Sequence, residues 1–283
     1  MESNVAIRMT NITKTFGSVV ANHKVSMDIN RGEILSLLGE NGSGKTTLMN
    51  MLSGIYYPDA GQIFVDGREV SIRSPKDAFD LGIGMIHQHF KLVDVFTAAE
   101  NVILGLPEQG RINRKAIAQK VQAICDRYGF DIDPNQKVYD MTVSQKQTLE
   151  IVKVLYRGAN VLILDEPTAG LDPAGRENLM ANIRDYHRNK HKTIILVSHS
   201  MDEIAQNVDR ILVLKGAHIL MSGTPAEVFA RGGELMAAGL DVPQVTRVAI
   251  ALKQRGLDID PAVYTVEALE AQLLALRKGG AVC

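Results

Sequence analysis

The chain has no tryptophan, only two cysteines among 283 residues, and a net charge of −1 from 31 basic and 32 acidic side chains. Each scarcity excludes something. Cys125 and Cys283 have no metal-ligand spacing, so neither a disulfide scaffold nor a cysteine zinc site is expected, and a reducing compartment is the default. The balanced charge argues against nucleic-acid binding by bulk electrostatics. No run approaches the ~20 apolar residues of a membrane span. Met1-Glu2-Ser3-Asn4 lacks the basic start and apolar stretch of a signal peptide. No low-complexity tract or fixed-period repeat is present. A cytosolic chain without direct membrane insertion is expected, with any membrane association passing through a partner. At 46% hydrophobic and 22% charged residues, the composition is otherwise that of an ordinary globular protein with a sizeable core.

What is present is organised around Gly39-Glu40-Asn41-Gly42-Ser43-Gly44-Lys45-Thr46, which matches the phosphate-binding pattern G-x-x-x-x-G-K-[ST]. Glycines let such a backbone bend tightly and approach phosphates closely. Lys45 can reach the β- and γ-phosphates, and the Thr46 hydroxyl can take a Mg²⁺ coordination place. The apolar run 34–38 before the loop reads as a buried strand. Thr46 to Leu52 reads as a helix closed by Gly54, which puts the phosphates at a helix N-terminus.

Along the chain, Val5–Met9 and Val25–Ile29 alternate as half-buried strands, and 30–33 is a turn. Phe16 falls in the intervening loop, where it either stacks on a purine base or packs beneath the loop. Residues 59–67 give a strand and turn of a small antiparallel sheet, 75–81 a short helix capped by Ser74, and 82–86 a strand running into Gln88. From about 90 to 158 helical periodicity dominates, with Ile117, Val121, Ile124 and Tyr128 on one face. The strand Val161–Leu164 then ends in Asp165-Glu166. Strand ends of this kind carry ligands in open α/β sheets. Asp165 can hold Mg²⁺ through water, and Glu166 is placed to act as general base on the attacking water. Strand 193–197 ends near His199, either a structural histidine or a γ-phosphate sensor. Residues 211–221 form a hairpin, and Thr224 caps a helix with Pro225 at its first position. Beyond Arg231-Gly232-Gly233 come two amphipathic helices. One runs from Pro243 to Gly256 with Val245, Val248, Ala249 and Leu252 on a face. The other follows Thr265 with Val266, Leu269, Leu273 and Leu276. Either stripe could pack on its own domain or on a partner.

Taken in order, these motifs resemble the ATP-binding subunit of ABC transporters over almost the whole chain. The resemblance implies an α/β fold: a P-loop NTPase (RecA-like) core, an antiparallel β subdomain, a helical subdomain at about 90–158 and a small helical C-terminal extension. The expected boundaries are an ATPase domain at 1–235 and a possible dimerisation element at 236–283. It implies ATP held by Phe16, Gly39, Asn41, Gly42, Ser43, Gly44, Lys45, Thr46, Thr47 and Asp165. Mg²⁺ is expected on Thr46, Gln88 and Asp165, with Glu166, His199, Gln88 and Lys45 as catalytic groups. Gln88 resembles the Q-loop glutamine, His199 the switch histidine and Asp172 the D-loop aspartate. Thr142, Val143, Ser144 and Gln145, after Met141, align with the family signature Leu-Ser-Gly-Gly-Gln and would act on a partner's ATP. Both signature glycines are replaced, and a β-branched Val143 tolerates few unusual backbone conformations, so the site it completes is expected to be weak. The implied partners are a transmembrane permease and a second ABC ATPase, at the cytoplasmic side of the cell membrane.

Two likenesses run within the family. Residues 1 to about 160 look most like the ATPases of nucleoside and simple-sugar importers, through 84–90 and 142–151. From Asp165 onward the chain looks like energy-coupling-factor ATPases for vitamin or cobalt/nickel uptake, through 168–173, 198–203 and 242–246. Such a combination would make the chain a mosaic. An ABC ATPase outside transport, or a nucleotide binder that no longer turns over, is the alternative outside both.

Overall fold

The computed structural model describes residues 4–87, 90–106, 113–190 and 192–279. Two antiparallel strands open the chain, β1 (Val5–Phe16) and β2 (Val19–Asn30), each 12 residues long. Both are longer than their alternation suggests, because the pairing carries register shifts between Met9 and Thr15 that break the period of two. Phe16 is therefore a strand residue at the hairpin end, paired with Val19, and not a loop residue as expected. Next come β3 (Ile34–Gly39), α1 (Lys45–Leu52), β4 (Ala60–Val65), β5 (Arg68–Val70), α2 (Pro75–Asp80) and β6 (Ile83–Ile86). Ser74 caps α2 by accepting from the Asp77 amide at 3.2 Å, with Pro75 in its first turn, as the sequence predicts.

A helical stretch follows, with α3 (Ala98–Ile103), α4 (Arg114–Tyr128) and α5 (Val143–Tyr156). The α4 stripe packs as its period requires, with Ile117 and Val121 buried and Ile124 and Tyr128 against the same core. The chain then alternates strand and helix through β7 (Val161–Asp165), α6 (Pro173–Lys190), β8 (Thr193–Val197), α7 (Met201–Asn207), β9 (Arg210–Lys215) and β10 (His218–Gly223). Four helices close the described chain: α8 (Pro225–Phe229), α9 (Gly232–Ala237), α10 (Gln244–Gln254) and α11 (Val266–Gly279).

Strands β2-β1-β4-β5 form an antiparallel sheet, and β10-β9-β3-β8-β7-β6 form a second sheet whose last five strands are parallel. The parallel strands are continuous apolar runs because both faces are covered. Leu35, Leu37, Ile163, Ile195 and Val197 face α1 and the antiparallel sheet. Their neighbours Leu162, Leu164, Ile194 and Leu196 face α3 to α6 on the other side. Helix α6, which the sequence reading did not identify, presents Leu179, Met180, Ile183 and Tyr186 to that second layer.

The C-terminal helices are built around a separate small cluster of Ala249, Ile259, Val263 and Leu269. Their apolar stripes are only partly used. Val248, Val266 and Leu273, expected on packed faces, are exposed, because two short helices bury a single row against each other. Among the described residues no helix is long and apolar enough to cross a membrane.

One polar junction ties the sheets together. Glu33, nearly buried, takes Arg210 on both oxygens, at 2.6 and 3.1 Å, and accepts the Asn30 amide at 2.6 Å. The same guanidinium donates to the Asp28 carbonyl at 2.5 Å, so β2, the turn into β3 and β9 share one fork. Replacing Glu33 with Ala leaves that guanidinium without its carboxylate. It is expected to lower unfolding stability in urea by roughly 2 to 4 kcal/mol. A loss below about 0.5 kcal/mol would show that the junction is a solvated surface pair.

Candidate functional site

The parallel register decides where the chemistry sits. Leu37 of β3 pairs with Val197 of β8, and Asp165 of β7 pairs with the same Val197. The residues that follow each strand therefore leave the sheet at one level: the loop after Gly39, Glu166, and Ser198-His199. The Glu166 amide donates to the Val197 carbonyl at 2.8 Å, which extends the pairing one residue past β7. Its φ of 50° is a left-handed conformation that a glutamate adopts only when its surroundings hold it there.

After β3 the loop wraps back on itself. A Cβ on Gly39 would lie 2.5 Å from the Leu214 carbonyl oxygen, and one on Gly44 would lie 2.1 Å from that of Ala21. Gly44 also has φ +100° at the N-cap of α1. Among the described residues, no side chain caps α1, and its first turn holds no acid, so its leading amides face a potential anion directly.

Inside the loop, Lys45 is buried and its Nζ donates to the carbonyls of Gly39 at 2.6 Å and Glu40 at 2.9 Å. Burial pushes its pKa down, while the nearby charges of Glu166 and Asp165 pull it back up. Asp165 is also buried, and its carboxyl is pushed above the usual carboxylate range by burial and by Glu166. The Thr46 hydroxyl, which donates to it, and Lys45 act in the opposite sense. Glu166 is the more open acid, and His199 Nδ1 lies 2.8 Å from its Oε1. Four residues expected at the site from sequence, Lys45, Thr46, Asp165 and Glu166, are thus joined to one another, and His199 joins them through Glu166.

These groups fit a magnesium-nucleotide polyphosphate. The donors are a hard carboxylate and a hydroxyl. The ammonium meanwhile satisfies itself on its own loop, and neither Gly39 nor Gly44 has room for a side chain. Asn41 and Gly42 are exposed on the loop and Thr47 is half-buried. Ser43 is buried, and its hydroxyl has no hydrogen-bond partner among the described residues. Phe16 is 43% exposed, with Tyr56 edge-on at 5.1 Å and Lys14 Nζ over its ring at 5.5 Å. Lys14 is held by Asp59 at 2.7 Å. Asp59 also accepts the Thr15 amide and hydroxyl, and its pKa falls to about 2. Gln88 lies outside the described residues.

The signature segment forms a separate structure. Among the described residues, no hydrogen bond or ion pair joins 142–145 to the loop at 39–46. Thr142 caps α5, accepting from the Gln145 amide at 3.2 Å, while Gln145 Oε1 accepts the Thr142 amide at 3.0 Å. Val143 and Ser144 fall in the first turn of that helix with ordinary backbone. A helix start makes no left-handed demand, so a β-branched residue sits at Val143 without backbone strain. Asp172 accepts the Gly175 amide at 2.8 Å at the start of α6.

Sequence reasoning missed Asn22, which is fully buried in β2 and whose Nδ2 donates to the Gly44 carbonyl at 3.3 Å. Its inward direction was hidden by the shift at Lys24, whose φ is 48°, so that alternation counted from Val25 points Asn22 outward.

The sequence pattern of the ABC transporter family matches residues 22–169. The nucleoside import ATP-binding protein NupA of Lactococcus lactis subsp. cremoris (strain MG1363) is 46% identical over 217 residues, covering 76% of this chain and 43% of that protein. The guanosine import ATP-binding protein NupO of Bacillus subtilis (strain 168) is 50% identical over 211 residues, covering 74% of this chain and 41% of that protein. The chain thus spans less than half the length of these curated relatives. Among solved structures, CbiO1 of Clostridium perfringens, described as part of the ABC transporter complex CbiONQ, superposes with a TM-score of 0.73 at 27% identity. That match covers 89% of this chain and 100% of that one.

The raised pKa of Asp165 has a definite consequence for stability. A carboxyl whose folded pKa lies above its unfolded value destabilises the fold once ionised. Asp165→Asn is therefore expected to raise the melting temperature of the nucleotide-free protein at pH 7. That advantage should shrink as pH falls through the folded pKa and vanish below the unfolded carboxylate pKa. Thermal unfolding at pH 7 and pH 4 checks it; a variant less stable at pH 7 contradicts the electrostatic reading.

Proposed function

The chain belongs to the ABC transporter family, and on that premise we propose that it binds and hydrolyses ATP as the energy-supplying subunit of an importer. The observation that carries the reading is the Glu166–His199 pair at 2.8 Å, level with the Lys45 loop at the carboxyl end of the parallel sheet. On this reading Lys45 exchanges its own carbonyl partners for β- and γ-phosphate oxygens, and the α1 amides take the rest of the phosphate charge. Thr46 and Asp165 would hold Mg²⁺, and the family resemblance assigns Gln88 to the same ion. The ion supplies neutralisation of the phosphate charge when bound. Phe16 offers the face not covered by Lys14 to the adenine, and Gly39, Asn41, Gly42, Ser43, Gly44 and Thr47 complete the cradle.

Glu166 takes the proton of the attacking water, and His199 holds its carboxylate in place from Nδ1. The exposed His199 ring stands where a γ-phosphate could meet it. Thr142, Val143, Ser144 and Gln145 make no hydrogen bond or ion pair to this chain's own loop among the described residues, which suits a role, with Asp172, on the nucleotide of a second ATPase subunit. The C-terminal helices from residue 236 would join the two. A transmembrane permease completes the assembly at the cytoplasmic side of the membrane. The names of NupA and NupO favour a nucleoside as cargo, and a ribose import ATP-binding protein of Corynebacterium glutamicum, 40% identical over 217 residues, keeps a simple sugar beside it. A second reading, the energy-coupling-factor type, is supported by the CbiO1 match, which extends over 89% of this chain, against 76% for NupA, 74% for NupO and 86% for a ribose import relative.

The Glu166→Gln variant separates binding from chemistry. Its ATP turnover is expected to fall by about 10²- to 10⁴-fold, the range for loss of a general base, with Mg-ATP affinity retained. Phosphate release and equilibrium binding measured on the same preparation check both halves. Turnover equal to wild type would remove Glu166 from the chemistry.

A further inference from the structure

The two reacting side chains stand on loops from different strands, Glu166 after β7 and His199 after β8. Each loop carries a buried hydroxyl beside its reacting residue: Thr168, two residues after Glu166, and Ser198, immediately before His199. Both hydroxyls donate to one oxygen, Oε2 of Glu203, at 3.0 and 3.5 Å. Glu203 is the third residue of α7, a position from which glutamate commonly reaches back to cap its own helix. Here the Ser200 amide donates instead to Ser198 Oγ at 3.1 Å, and the Glu203 carboxylate turns toward the two loops. Its backbone is held as well, since its carbonyl accepts Asn207 Nδ2 at 2.6 Å and Asn207 is bonded to Arg184 of α6.

We propose that Glu203 is a positioning residue that fixes the Glu166–His199 pair by fastening both of their loops to one carboxylate oxygen. Neither loop is set by the sheet alone. Glu166 has a left-handed backbone outside the strand, and the His199 side chain is 77% exposed with Glu166 as its contact. A shared acceptor converts two independent loop ends into one unit. A displacement of about 1 Å at such a pair is enough to cost up to 10²-fold in rate. Glu203 touches no reacting atom in this scheme; it acts through Thr168 and Ser198.

The proposal rests on the ATPase reading, and its test keeps the two apart. Steady-state kinetics are measured for wild type and for Glu166→Gln, Glu203→Ala, Glu203→Gln, His199→Ala and Glu203→Ala/His199→Ala. Wild-type turnover that is lost in Glu166→Gln establishes the ATPase reading by itself. Given that, Glu203→Ala is expected to lower kcat about tenfold with KM for ATP changed less than twofold. Glu203→Gln, which keeps a carbonyl acceptor, should recover most of the rate. In the His199→Ala background, removing Glu203 should cost less than twofold more, because the pair it aligns is already gone. An unchanged kcat in Glu203→Ala, or a full additional loss in the His199→Ala background, overturns the proposal. Should Glu203→Ala fail to fold, Ser198→Ala provides the milder cut, with a smaller kcat loss of the same kind expected and an unchanged kcat contradicting.

Discussion

The register of three parallel strands is the constraint on which the site depends. Because Leu37 and Asp165 both lie level with Val197, the loops that leave β3, β7 and β8 emerge side by side at one edge. A slip of one residue in either ladder would turn every side chain of that strand to the opposite face. It would move Leu35 and Leu37 out of the layer against α1, and Leu162 and Leu164 out of the layer against the helices. Hydrophobic burial on both faces thus fixes the register, and the register fixes the spacing of Lys45, Asp165, Glu166 and His199. The polar fork at Glu33 and Arg210 secures the other end of the same sheet, where β9 joins β3 and the antiparallel sheet.

The charges gathered at that edge do not serve the stability of the empty fold. Asp165 is buried with its carboxyl raised, Lys45 is buried with its ammonium lowered, and Glu166 has a left-handed backbone. Clusters of perturbed and strained groups of this sort mark functional sites more often than structural ones. Lys45 is the pivot. Its bonds to Gly39 and Glu40 hold the loop closed around the ammonium, and the same three donor protons are what a polyphosphate would take over on the proposed reading. Glu203 extends the arrangement outward, gathering Thr168 and Ser198 from the loops that carry Glu166 and His199.

Much of this was legible in the sequence. Buried parallel strands are apolar runs, so β3, β7 and β8 stood out, and the loop after β3 and the acids after β7 followed from spacing. The α2 cap, the β9–β10 hairpin and the α4 stripe were equally plain, since each rests on local turn chemistry or on one clear period. The failures share a cause. Irregular pairing in β1 and β2 hid the length of both strands, the strand position of Phe16 and the inward turn of Asn22. Helix α6 carries its few apolar residues among many polar ones, so its period was faint. The exposed stripes at Val248, Val266 and Leu273 show that amphipathic period identifies a helix without specifying what covers it. Glu203 could not have been found from spacing, because its role depends on two hydroxyls brought together by tertiary structure.

The central claim is that the strand ends around Lys45 receive a magnesium-nucleotide. Hydrogen exchange of the backbone amides, followed with and without ATP and Mg²⁺, tests it most directly, because the amides of the loop and of the start of α1 are the proposed ligands. The account predicts slowed exchange over residues 39–47, with smaller protection around 165–168 and 198–200. Unchanged exchange over 39–47 at saturating Mg-ATP would contradict it.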